Sequence, residues 1–111
     1  MNIELQPEGP VTVLKLSGPL VEEELAGLAS TVKRLAEQGR RRLLLDLLSV
    51  PFVDSKAMEF LLDTAAELSA NGGTLKVGGV SDVLLEAFVA TRLSRSIELY
   101  KDRATGRRAF L

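Results

Sequence analysis

The 111-residue chain contains no cysteine, no histidine and no tryptophan, and its formal net charge is only −1. Without cysteine it can form neither a disulfide framework nor a thiolate nucleophile. Without histidine it lacks the commonest metal ligand and the usual general base near neutral pH. A net charge this close to zero creates no overall field that would attract nucleic acid. We therefore expect no metal, no cofactor and no direct nucleic-acid partner.

Long hydrophobic runs are also missing from the sequence. No run approaches the ~20 apolar residues that a membrane-spanning helix needs. The opening segment, MNIELQPEGP, lacks the basic region and apolar core of a signal peptide. A chain of this length can bury roughly two-thirds of its unfolded surface in one core. We expect a single domain spanning residues 1–111, soluble and cytoplasmic, without membrane insertion.

The most informative stretch is residues 41–62, RRLLLDLLSVPFVDSKAMEFLL. Its leucine run predicts a central strand over residues 43–47, buried on both faces, although leucines alone do not exclude a helix. Pro51 ends regular pairing because it offers no backbone N–H. Phe52 and Val53 are predicted to be buried. From Ala57 onward apolar residues recur at helical spacing, so a helix is expected to start near Ser55.

The flanking segments predict the other elements. Residues 2–6 and 11–16 read as a hairpin, and a helix beginning near Glu22 ends at Gly39. Asn71 and two glycines end the second long helix, and residues 74–77 read as a strand. Ser81 or Asp82 caps a third helix, residues 97–100 form an edge strand, and a short basic helix follows. The predicted fold is α/β, with about five strands in a mixed sheet, about four helices and the order β-β-α-β-α-β-α-β-α.

Along this stretch a strand is followed by Asp46-Leu47, then by Val50-Pro51-Phe52-Val53-Asp54-Ser55, and then by an amphipathic helix. This order resembles the STAS domains of bacterial anti-sigma factor antagonists. The resemblance covers nearly the whole chain and implies a regulatory protein-binding module, not an enzyme. It implies that the unmodified protein binds an anti-sigma factor serine kinase, or a related regulatory protein. It also implies that Ser55, directly after the motif aspartate Asp54, accepts a phosphate. The chain has Lys56-Ala57-Met58 where the family usually continues Ser-Gly-Leu, and Arg92 where a glycine is frequent.

The candidate site has a structural and a functional interpretation. Ser55 or Asp54 could simply cap the helix, since both residue types do so commonly. A helical wheel places Lys56, Glu59, Phe60 and Asp63 on the polar side, where Phe60 is either a partner anchor or a ring tucked under a neighbouring segment. We predict a partner-binding surface composed of Asp54, Lys56, Glu59, Phe60 and Asp63.

Other interpretations remain open at this point. Asp46 is interpreted as a hydrogen-bond acceptor at a strand end, so no catalytic residue is predicted. The triplet Arg40-Arg41-Arg42 is a solvated strand entry or a phosphate binder. One alternative function is a non-phosphorylated STAS subunit of a lipid-transport or stress-signalling assembly. Another is a small-ligand carrier with an anion site at the start of the second helix. The oligomeric state is expected to be a monomer or a weak homodimer.

Overall fold

The computed structural model describes residues 1–110, and within them one four-stranded sheet has the spatial order β1-β2-β3-β4. The antiparallel pair β1 (Asn2–Glu8) and β2 (Val11–Ser17) turns at Gly9, whose φ is +64°. Parallel pairing then adds β3 (Arg42–Ser49) and β4 (Thr74–Gly78). The predicted mixed α/β fold is therefore confirmed.

Four α-helices connect and follow these strands. They are α1 (Leu25–Glu37), α2 (Ser55–Ala70), α3 (Asp82–Ala90) and α4 (Arg103–Arg108). Single 3₁₀ turns, Glu22–Glu24 and Leu93–Arg95, precede α1 and follow α3. The element order is as predicted up to α3.

The predicted fifth strand at residues 97–100 is wrong as stated, because only one isolated bridge joins Val77 to Leu99. The Val77 N–H donates to the Glu98 carbonyl at 3.1 Å, and the Tyr100 N–H donates to the Val77 carbonyl at 2.8 Å. Asp102 then caps α4 by accepting from the Thr105 N–H. The chain thus begins α4 only a few residues after this bridge, and residues 97–100 do not form a full strand beside β4.

The sheet is covered on both faces, as the leucine run predicted. Leu45, only 1% exposed, lies in a large apolar cluster with residues of α1, α2 and α3. Leu44 points to the other face, where it packs with Val11, Val13 and Phe110 at the end of α4. β3 lies between β2 and β4, so its prediction as a central strand is confirmed.

Charged contacts hold the α4 end of the chain to the second face of the sheet. Lys76 of β4 is bonded to Glu98 and donates to the Ala109 carbonyl at 3.1 Å. Its ammonium lies 5.1 Å from the Phe110 ring centroid. The hydrogen bond from Lys76 lowers the pKa of Glu98 below its ordinary value of 4.5. Arg103 of α4 forms an ion pair with Glu8 of β1.

The helix ends follow local sequence signals. Gly39 follows α1 with φ +79°, and the Arg40 N–H donates back to the Leu35 carbonyl at 2.8 Å. Ser81, not Asp82, caps α3 by accepting from the Leu84 N–H at 3.2 Å. Arg92 takes the left-handed conformation, with φ 64° and ψ 11°. The turn after α3 therefore has the geometry that a glycine would allow, although its residue is arginine.

Candidate functional site

The site is built around Asp54, which joins the starts of two helices. Its Oδ1 accepts from the Ala57 N–H at 2.8 Å and caps α2. Its Oδ2 accepts from the Glu22 N–H at 3.0 Å, at the turn that leads into α1. Both N–H groups belong to helix starts, where backbone donors lack partners within the helix. The carboxylate therefore fixes the two helix starts relative to each other.

Backbone hydrogen bonds hold the two segments that carry these helix starts. The Gly18 N–H, immediately after β2, donates to the carbonyl of Ser49, the last residue of β3, at 3.0 Å. Leu20 then donates to the Phe52 carbonyl at 3.0 Å and accepts from the Asp54 N–H at 3.1 Å. The connection between β3 and α2 is thus an extension of the sheet, which gives Ser55 a defined position.

Ser55 is the first residue of α2 and is exposed. Within residues 1–110 its hydroxyl has no hydrogen-bond partner, because Asp54 performs the capping. Lys56, next to it, lies 3.7 Å from the Glu59 carboxylate, and both side chains are more than half exposed. An exposed pair of this kind contributes little to stability. The hydroxyl of Ser55 is therefore accessible, with one exposed cation beside it.

Three large apolar side chains are exposed at the carboxyl end of the parallel strands. They are Leu48 at 75%, Phe52 at 51% and Val83 at 69% exposed. Leu48 lies near the carboxyl end of β3, Phe52 follows that strand, and Val83 lies in the first turn of α3, which follows β4. The prediction that Phe52 is buried was wrong, whereas Val53, at 8% exposed, is buried. Sequence reasoning missed this apolar group because it treated the whole run as core.

Phe60 lies away from this apolar group. It is half-buried against the core and lines a groove between α1 and α2 together with Val32 and Leu68. The ring thus packs in part against the core, and its predicted contribution to partner binding stays a prediction. Asp63 and Glu59 are exposed on the outer side of α2. The five residues predicted to bind a partner lie between the cap of α2 and the middle of that helix, and their role in partner binding stays a prediction.

Asp46 has the structural role predicted from its position at a strand end. It is 4% exposed, and its Oδ1 accepts from the Leu48 N–H at 3.1 Å. Arg103 lies 3.9 Å from its Oδ2. A Cβ at Gly79 would lie 2.6 Å from Oδ1, so the carboxylate also requires a glycine at the end of β4.

Within the described part of the chain, no group of three or more acidic side chains is placed to hold a metal ion. The helices in the same range are all too short or too polar to cross a membrane.

The fold and this serine-bearing helix start define a known class of domain. The STAS domain family model matches residues 2–106, so the chain belongs to the STAS domain family. No curated protein matches the chain significantly in sequence.

Solved structures of anti-sigma factor antagonists share the fold. One from Mycobacterium paratuberculosis has 19% identity and a TM-score of 0.86, covering 97% of this chain and 92% of its own. An anti-sigma-factor antagonist (STAS) domain protein from Planctomyces limnophilus has 26% identity and a TM-score of 0.80, covering 96% of each chain. The Bacillus cell fate determinant SpoIIAA, in its phosphorylated form, has 18% identity and a TM-score of 0.68, covering 88% of this chain and 90% of its own.

Proposed function

We propose that this protein is an anti-sigma factor antagonist that binds an anti-sigma factor serine kinase and is released when Ser55 is phosphorylated. The observation that carries this proposal is the accessible Ser55 hydroxyl at a helix start whose capping is already done by Asp54. A serine that capped the helix would have to lose its hydrogen bond before it could react. Here the backbone arrangement can stay unchanged during phosphoryl transfer.

The surface beside Ser55 supports the binding step. Leu48, Phe52 and Val83 are exposed at the same edge of the sheet as the start of α2. Large apolar side chains surrounded by polar ones are common anchors in protein interfaces. We propose that the kinase covers this apolar group together with Lys56 and Glu59. The chain would then act as a single regulatory domain in the cytoplasm, with the nucleotide held by its partner.

The electrostatics of the helix start support the release step. A phosphate on Ser55 would carry about two negative charges close to the Asp54 carboxylate. Because the site is also the positive end of α2, the helix would tolerate this charge. A partner packed on the surface would instead have to desolvate it, which opposes binding. Lys56 partly offsets the phosphate charge, so we expect weakened binding and not complete loss.

Intact-mass spectrometry after incubation with candidate anti-sigma factor kinases and ATP tests the proposal. The expected result is a gain of one phosphate on the wild type and on Ser69→Ala, an exposed serine of the same helix, and none on Ser55→Ala. No gain on the wild type with any candidate would favour a STAS subunit of a larger assembly that is not phosphorylated. An equal gain on Ser55→Ala would show that another residue is the acceptor.

A further inference from the structure

A second candidate site lies at the opposite end of the sheet from Ser55. Ser55 follows the carboxyl end of β3, whereas Arg40, Arg41 and Arg42 lie at its amino end. The eight residues of β3 separate the two ends by roughly 25 Å, at about 3.3 Å per residue. This site therefore does not depend on the proposed phosphorylation surface.

The three arginines line a concave surface of about 530 Å³ with no carboxylate among its lining residues. All three side chains are exposed, and within residues 1–110 none lies within 4.0 Å of an acidic group. The remaining lining comes from Pro7 and Thr12 of the first two strands and from turns that contain Gly9, Gly39 and Gly72, so that little side-chain bulk fills the space. Guanidinium groups bind carboxylates and phosphates in preference to other ligands. This basic pocket thus selects an anionic group.

The neighbouring helix ends do not cancel this charge. Carbonyls at a helix carboxyl end carry partial negative charge that would repel an anion. Here the Gly39 and Arg40 N–H groups bond to carbonyls of α1, at 3.0 and 2.8 Å. At the end of α2 the Gly73 N–H bonds to the Leu68 carbonyl at 2.7 Å. The arginines therefore remain the dominant charges.

The basic pocket continues into the groove between α1 and α2, because Arg41 and Asn71 line both. The groove measures about 410 Å³, within the usual size range of small-molecule sites, and Val32, Phe60 and Leu68 contribute much of its lining. Glu37, Glu67 and Lys33 lie at its exposed margin, so the groove itself has no strong preference for charge.

Thr64 and Asn71 add uncharged polar side chains to the lining of this groove. The Thr64 side chain is only 9% exposed. Within the described residues its hydroxyl has no hydrogen-bond partner, whereas Thr31 on α1 bonds to the Gly27 carbonyl at 3.0 Å. No buried polar side-chain atom of the described residues lacks a partner, so this hydroxyl is reached by solvent through the groove and is free to bond to a ligand. We propose that the groove and the arginines together bind a single-chain anionic amphiphile, with its acyl chain between α1 and α2 and its carboxylate on Arg41.

Titration calorimetry with dodecanoate, below its micelle concentration, tests this proposal. The matched probe is dodecanol, which has the same chain without the charge. We expect saturable dodecanoate binding that Arg41→Gln weakens about tenfold, with dodecanol weaker and insensitive to the variant. Arg95→Gln, which alters an exposed arginine elsewhere, should leave both affinities unchanged.

Amide chemical shifts of the wild-type protein make the test independent of any variant. Dodecanoate should move the amides of Val32, Thr64 and Asn71 and leave that of Ser55 unmoved. No saturable binding, or equal affinity for dodecanol and dodecanoate, would overturn the proposal. Binding to anionic phospholipid vesicles without binding to monomeric dodecanoate would also overturn it, because the arginines would then serve a membrane surface. Loss of Ser55 phosphorylation would not bear on any of these outcomes.

Discussion

Replacing Asp54 by alanine removes hydrogen bonds at the starts of two helices at once. Loss of the cap on the Ala57 N–H costs about 1 kcal/mol, within a range of ~0.5–2 kcal/mol. Loss of the second bond, from the Glu22 N–H, adds about 0.5–1.5 kcal/mol. The free energy of unfolding should therefore fall by about 1.5–2.5 kcal/mol. In a domain of this size that corresponds to a drop of roughly 6–10 °C in the thermal midpoint.

Two further variants separate the hydrogen bonds from the charge. Asp54→Asn keeps one acceptor oxygen, so it should lower the free energy of unfolding by about half as much as Asp54→Ala does. Asp63→Asn alters an exposed carboxylate of the same helix and should change the free energy of unfolding by less than ~0.5 kcal/mol. Urea titrations followed by circular dichroism measure all three. A loss below ~0.5 kcal/mol for Asp54→Ala would refute the bridging role.

Three other predictions concern stability. Leu45→Ala should lower the free energy of unfolding by about 2–5 kcal/mol, whereas Leu48→Ala, on the same strand but exposed, should change it by less than ~0.5 kcal/mol in urea titrations. Similar losses for the two would contradict the burial pattern of β3. Arg92→Gly should raise the thermal midpoint by relieving a left-handed conformation, a gain of about 0.5–1 kcal/mol, whereas Arg95→Gly should lower it. A lower midpoint for Arg92→Gly would show that the arginine side chain stabilises the turn. Because the folded-state pKa of Glu98 lies below 4.5, its contribution is present above that pH and lost as the pH falls through the lowered value. The difference in stability between wild type and Glu98→Gln should therefore shrink on acidification, and a difference independent of pH would argue against the Lys76 contact.

Features set by short-range chemistry could be predicted from the sequence. Asp54, Ser81 and Gly39 perform the capping roles that their residue types favour, because each cap involves residues only a few positions away. The leucines of β3 could be assigned to a central strand because an amphipathic helix precedes them in sequence and another follows them. Asp46 is the strand-end acceptor that its position suggested.

Features set by tertiary contacts could not be predicted. Leu48 and Phe52 belong to the same apolar run as Leu45, yet they extend past the helices that cover the sheet and are exposed. A helical wheel of α2 takes no account of α1, so it could not show that Phe60 lies against the groove between them. The bridge at Leu99 depends on where α4 begins, which is a property of the whole carboxyl-terminal segment.

The site itself was only partly predictable. The sequence pointed to Ser55 through its family resemblance; the structure shows that its side chain is exposed, and its phosphorylation stays a prediction. The Asp54 contact to Glu22 joins residues 32 positions apart, so no local pattern reveals it. The exposed Val83 comes from a different helix, and only the parallel order of β3 and β4 brings it to the same edge.

The most direct test of the proposed switch is to compare the affinity of the kinase partner for the unmodified and the Ser55-phosphorylated protein. Isothermal titration calorimetry with both forms measures it, with Ser69→Ala as a matched control for the unmodified helix. We expect at least a tenfold weaker complex after phosphorylation, a difference of about 1.4 kcal/mol. Equal affinity for the two forms would contradict it, because the phosphate would then lie outside the surface that the partner covers.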